Sequence, residues 1–222
     1  MSYVYREYYR RKLPHIHHPG VTLFVTFRLA DSIPQSVLQA WREERDWLKT
    51  KEQQADDEET KIRFHRQWFK RFEDVLHSSS DGPMWLGDAN VAGMMAECLH
   101  FRDQKMYHLH AFCIMSNHVH VVFTPLLKAE NLTPTITPQG LRFVSDDPDL
   151  QAIKQPLKSY SAHQANKILH RSGAFWESES YDHWIRDEQE YDRIVRYVLD
   201  NPVKAGLVDD WQDWQWSYLA NT

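Results

Sequence analysis

Two things are scarce in this chain: cysteine, and long runs of apolar residues. Its two cysteines, Cys98 and Cys113, form no C-x-x-C pair, which argues against a disulfide framework and for a reducing cytoplasm. No apolar run approaches the length of a membrane span, and the polar, basic start from Met1 to Lys12 has no signal-peptide core. An overall excess of positive charge is missing too. Against 26 Lys and Arg stand 31 Asp and Glu, a formal net charge of -5, so a uniformly basic nucleic-acid binder is excluded while a local basic groove is not. Internal repeats and low-complexity tracts are absent. What is present is core material: 42% hydrophobic and 13% aromatic residues over 222 positions, enough for one domain with insertions or two small ones.

The stretch from Met1 to Arg28 carries Arg6, Arg10, Arg11, Lys12 and Arg28 against Glu7 alone. It reads equally well as a solvated arm or as a phosphate-contacting one. Val21 to Leu29 is the first strong strand. From Pro34 a helical pattern begins, and between Glu43 and Glu59 eight acidic residues outnumber three basic ones. With Phe64, Trp68, Phe69, Phe72 and Leu76 at helical spacing, the stretch of about 35–87 reads as a helical insertion. A compact helix is expected over Asn90 to Phe101, and a long loop over about 128–148 because of Pro134, Pro138, Gly140 and Pro148. A further helix is expected from Leu157 to Leu169. Lys154, Lys158, Lys167 and Arg171 are the charged residues of 151–176, with no acidic one among them.

The segment Phe112 to Phe123 reads as a β-hairpin broken at Ser116-Asn117. Alternation puts His118 and His120 on one face, where two imidazoles can share a divalent ion. Two ligands are too few for a closed site, so a third must come from elsewhere and leave room for water or substrate. Among thirteen histidines, His15/His17 and His108/His110 make the same pattern, so on spacing alone an ordinary polar or partly buried side chain is the commoner reading.

The last helix is expected from Glu188 to about Asn201, where Pro202 disfavours continuation. Tyr197 and Asn201 stand one turn apart on one face. A tyrosine beside an amide, presented to a metal-bearing strand pair, suits phosphodiester cleavage by a protein nucleophile. A core aromatic and a helix C-cap would fit the same residues.

Met115-Ser116-Asn117-His118-Val119-His120-Val121-Val122-Phe123 resembles the histidine core of the HUH single-tyrosine (IS200-like) transposases. The run from Tyr197 through Asn201-Pro202 to Val208 resembles the tyrosine helix of their REP-associated branch. Arg11-Lys12-Leu13-Pro14-His15, Phe24-Val25-Thr26-Phe27-Arg28-Leu29, Ser172-Gly173-Ala174-Phe175-Trp176, Tyr181-Asp182-His183 and Ile185-Arg186-Asp187-Glu188 match as well. The resemblance implies a single α+β domain, a ferredoxin-like antiparallel sheet with helices on one face. It implies that His118, His120 and Asn201 bind Mg²⁺ or Mn²⁺, and that Tyr197 attacks single-stranded DNA near a REP-like hairpin. The products would be a 5′-phosphotyrosine and a free 3′-OH, made by a cytoplasmic monomer or homodimer with no membrane partner. Lys154, Lys158, Lys167, Arg171, Arg10 and Arg11 are the expected DNA contacts. A DNA-binding regulator without catalysis and a hydrolase using water are the competing readings. His183 fits the pattern without an assigned role. The acidic insertion and the tail with Trp211, Trp214, Trp216 and Tyr218 depart from it.

Overall fold

The computed structural model describes residues 21–34, 37, 39, 82–126, 132–137, 140–145 and 150–221. Five strands form one sheet: β1 (Leu23–Arg28), β2 (Tyr107–Ile114), β3 (His118–Pro125), β6 (Tyr181–Trp184) and β7 (Ser217–Leu219). Their order is β6-β1-β3-β2-β7, and every neighbouring pair is antiparallel. This is the expected α+β arrangement. β1 is buried along its whole length, as a central strand with both faces covered must be.

Alternation along the strands separates two cores. Leu23, Val25 and Phe27 of β1 and Val119, Val121 and Phe123 of β3 face one way. They meet helix α1 (Ala89–Arg102) and helix α2 (Leu150–Ile168) through Val91, Met95, Leu99, Ile153 and Leu157. Phe24 and Val122 face the other way and pack on helix α3 (Glu188–Leu199) through Ile194, Val195 and Val198. The tyrosine helix therefore lies on the face opposite the other two, an addition to the expected one-sided helical layer.

β2 contributes to both cores by changing parity. Its pairing with β3 shifts between Leu109 and Ala111, so His110 is the extra residue of a β-bulge. Before it, Tyr107 and Leu109 belong to the α1/α2 core; after it, Phe112 and Ile114 do, while Ala111 and Cys113 face α3.

The local starts and stops follow from the sequence. Asp88 caps α1 by accepting from the Asn90 and Val91 amides. α2 begins at Leu150, earlier than the expected Leu157, and runs through Pro156. A proline ring removes one backbone hydrogen bond and costs about 3 kcal/mol in a helix interior. Burial of Leu150, Ile153 and Leu157 on the sheet offsets it. The stretch expected as a loop over 128–148 contains a hairpin, β4 (Leu132–Thr137) with β5 (Gly140–Ser145). Its threonines and isoleucine favour extended backbone, and Pro134 is tolerated because a two-stranded ribbon has only edges.

The C-terminal aromatics complete the sheet. Tyr218 of β7 stacks on Phe112, ring centroids 5.4 Å apart, and the Trp214 indole donates to the Ile114 carbonyl at 3.1 Å. The expected insertion lies outside the described residues over 35–81 apart from 37 and 39; at its end, Leu86 is buried in the α1/α2 core. Among the described residues no helix is long and apolar enough to cross a membrane.

Candidate nucleic-acid processing site

His118 and His120 stand at the middle of the sheet, on the α3 side, because β3 alternates and both neighbours of β3 hold it in register. Their rings lie 4.5 Å apart, centroid to centroid, and both are buried. Each is oriented through Nδ1. His118 Nδ1 is 2.6 Å from Asn117 Oδ1, and since an amide oxygen only accepts, the ring must donate there. That leaves the acceptor lone pair of His118 on Nε2. His120 Nδ1 lies 2.9 Å from the hydroxyl of Thr26, its cross-strand partner on β1. Outer hydrogen bonds of this kind fix the rings of metal-binding histidines.

Helix α3 brings the tyrosine. Asp187 caps it by accepting from the Glu190 amide at 2.8 Å, and the Glu190 carboxylate returns to the Arg186 amide at 3.0 Å. These reciprocal bonds form a variant of the capping box. Glu190 also accepts from His183 of β6 at 3.2 Å and from Arg193 at 3.1 Å. Burial raises the Glu190 carboxyl, but the hydrogen bonds and charges of His183 and Arg186 outweigh it and bring it down to about 2. His183 thus acquires a place: it joins the edge strand to the start of the tyrosine helix.

Two turns further on, the Tyr197 ring meets the edge of His120 at 5.6 Å and that of Phe24 at 6.1 Å. The Lys204 ammonium sits 4.7 Å from the Tyr197 ring centroid. Tyr191 points elsewhere, against His110 at 5.5 Å, as a different helical face requires. α3 ends at Leu199, and Asn201 opens a short turn, α4 (Asn201–Lys204), with Pro202 in its first turn. The Asn201 amide donates to the Tyr197 carbonyl at 3.1 Å, while its Oδ1 is buried with no hydrogen-bond partner among the described residues. The C-cap reading accounts for the nitrogen and not for the oxygen.

These residues suit a divalent ion: two oriented imidazoles presenting Nε2, and a buried amide oxygen with no donor among the described residues. Among the described residues, no group of three or more His, Cys, Asp and Glu side chains is placed to hold a metal.

No family model matches the chain. A solved structure of a REP-associated tyrosine transposase bound to a REP hairpin superposes with a TM-score of 0.51, covering 95% of this chain and 81% of that one at 16% identity. The two share a fold. By sequence, the chain is 25% identical over 107 residues to a Haemophilus influenzae protein named for REP-associated tyrosine transposases. That match takes in 48% of this chain and 56% of the relative, little more than half its length. Both comparisons return the family whose motifs the sequence resembles.

On this fold the expected basic residues separate. Lys154 is buried, 3% exposed, donating to Ser180 at 2.8 Å and paired with Asp182 of β6. It does not face outward, because Asp182 draws it between α2 and the sheet. Lys158 is half-buried and donates to the Ser178 carbonyl at 3.2 Å. Burial, aided by the charges of Lys154 and Arg28 and opposed by Asp182 and Glu177, lowers Lys158 to about 8. The Arg171 guanidinium lies 3.5 Å from the Trp85 ring centroid and donates to the Ala174 carbonyl at 3.0 Å. Lys167 is exposed. A cleft of about 480 Å³ lies along α2 and residues 173–180, lined by Lys154 and Lys158 rather than by the histidines or Tyr197. Arg10 and Arg11 lie outside the described residues.

What the sequence did not single out is Thr26. Its only signal was its place in the matched Phe24–Leu29 stretch, which gave it no role.

Proposed function

We propose that this protein is a transposase of the REP-associated type, a single-stranded DNA nickase and strand transferase acting near hairpins through Tyr197. The observation that carries this reading is the edge contact of the half-buried Tyr197 ring with His120. In the reaction, Tyr197 Oη attacks the phosphorus of a phosphodiester and loses its proton. The P–O3′ bond breaks, the departing oxygen takes up a proton as a 3′-OH, and the 5′ side stays on the tyrosine. Attack by a 3′-OH on that phosphotyrosine reverses the step and rejoins a strand.

His118, His120 and Asn201 would hold Mg²⁺ or Mn²⁺, which when bound supplies Lewis-acid polarisation of the phosphate. Thr26 and Asn117 orient the imidazoles, and Asn201 ties its own amide to the backbone of the nucleophile. The REP hairpin bound by the fold relative supports hairpin DNA as the substrate class.

The test is incubation with labelled single-stranded hairpins and Mn²⁺. A denaturant-resistant adduct is expected with wild type and with Tyr191→Phe, and none with Tyr197→Phe, which should still bind the hairpin. Hydrolysis without an adduct, or binding alone, would overturn the reading, as would a phosphotyrosine mapped to any other position.

A further inference from the structure

β1 ends in an arginine that the site described so far does not use. Arg28 is the cross-strand partner of His118, and Thr26, two residues earlier, is the partner of His120. Side chains directly opposite on antiparallel strands leave the same face with their β-carbons about 5 Å apart. Arg28 therefore rises from the sheet beside the histidine pair, on the side covered by the tyrosine helix. The Leu29 amide donates to the Asn117 carbonyl at 2.9 Å, which carries the register to the edge of the β2–β3 turn.

A guanidinium is rarely buried unless all its donors are used. Arg28 is only 8% exposed, and its groups divide into two sets. Nη2 pairs with the Glu177 carboxylate at 3.2 Å. Nη1 is buried and has no hydrogen-bond partner among the described residues. The Glu177 amide donates to the Arg28 carbonyl at 2.9 Å, so the anchoring acid is tied to the same strand end. Burial disfavours the Arg28 charge, and Glu177, Glu179 and Asp31 restore part of it. The result is a planar donor paired at one end and, among the described residues, without a partner at the other. A phosphate oxygen matches that second end in charge and geometry.

We infer that Arg28 is a phosphate-binding residue of the site, its Nη1 donating to a non-bridging oxygen of the scissile phosphodiester held at the histidine pair. This rests on the nickase reading above and adds to it a protein cation for the charge that builds on the phosphate oxygens during attack by Tyr197. A structural role alone would explain the Glu177 pair and not the buried Nη1, which has no partner among the described residues.

Single-turnover adduct formation at saturating hairpin and Mn²⁺ tests it, with Arg28→Gln, Arg28→Lys and Glu177→Gln compared for rate, hairpin affinity and melting temperature. Loss of one charge-assisted hydrogen bond to the phosphate predicts a fall of roughly 10- to 100-fold in the Arg28→Gln rate. Glu177→Gln should stay within about threefold of wild type, because the guanidinium remains, although it breaks the same ion pair. Arg28→Lys keeps the charge without the planar fork and should fall between them; if Arg28→Gln does not fold, Arg28→Lys slower than Glu177→Gln is the supporting result. Equal losses in the Arg28 and Glu177 variants, or an Arg28→Gln rate equal to wild type, would overturn the assignment while leaving the nickase intact. A wild-type protein that forms no adduct would overturn both.

Discussion

Glu190 offers the sharpest quantitative test of how the tyrosine helix is mounted. It is 5% exposed; burial pushes its carboxyl up, yet His183, the Arg186 amide and nearby charge bring it from 4.5 to about 2. At 1.36 kcal/mol per pKa unit, that displacement is worth about 3 kcal/mol of folding stability at neutral pH as a ceiling. The Arg193 partner is 54% exposed, so solvent screens its share, and glutamine at 190 keeps one acceptor. Glu190→Gln should therefore cost about 2 kcal/mol, which for a chain of this size lowers the melting temperature by about 4–8 °C. The sign of the pH dependence follows from the depressed folded-state value. The stabilisation is complete above the unfolded-state pKa near 4.3 and is lost as pH falls through about 2. Urea titrations of wild type and variant, at fixed ionic strength between pH 7 and pH 2, should converge as acid is added. A gap at pH 7 no larger than the roughly 0.5 kcal/mol of an ordinary surface substitution would refute the anchoring role of Glu190. So would a gap that persists unchanged at pH 2.

Other outcomes separate chemistry from support. Thr26→Val removes the oriented bond to His120 Nδ1 while keeping shape, so calorimetric Mn²⁺ affinity should fall about 10- to 100-fold, and His118→Ala with His120→Ala should abolish it. Unchanged affinity in the double alanine variant would refute the histidine site. Lys154→Met leaves Asp182 buried without its cation and should cost about 3–5 kcal/mol while leaving the salt dependence of hairpin binding alone. Lys167→Ala should do the reverse, lowering the slope of log K against log salt by about 0.7 with little change in stability, if Lys167 touches a phosphate.

The parts of this fold that announce themselves are those where one local rule decides. The β2–β3 hairpin and α1 follow from alternation, a polar break and an aspartate cap, and the His118/His120 face follows from period two. The meeting of Tyr197 with that face depended on the resemblance, since nothing in the sequence measures a distance between elements so far apart along the chain. Where tertiary packing overrides local preference, the reading failed. The helix expected from Leu157 starts at Leu150, and burial of Leu150 and Ile153 carries it through Pro156. Prolines at 134 and 138 concealed the strands of β4 and β5. The lysines of α2 are expected to contact DNA, yet Asp182, from a strand beyond the end of that helix, takes Lys154 inward. His183 had no legible role because its partner Glu190 lies on the next element.

The bulge at His110 sets the counting frame of everything after it in β2. Ala111 and Cys113, which lie beneath the tyrosine helix, are small; Phe112 and Ile114, which fill the opposite core, are large. Straightening the bulge while keeping His110, so that His110 paired with Val122, would leave length and composition unchanged. It would, however, exchange the two sets, driving a phenyl ring up under α3 and leaving a void below. The helix would be levered off the sheet, and Tyr197 would move away from His120. Deleting His110 would do none of this, since Leu109↔Phe123 and Ala111↔Val122 are already successive pairs, so the bulge can be lost harmlessly only together with its residue.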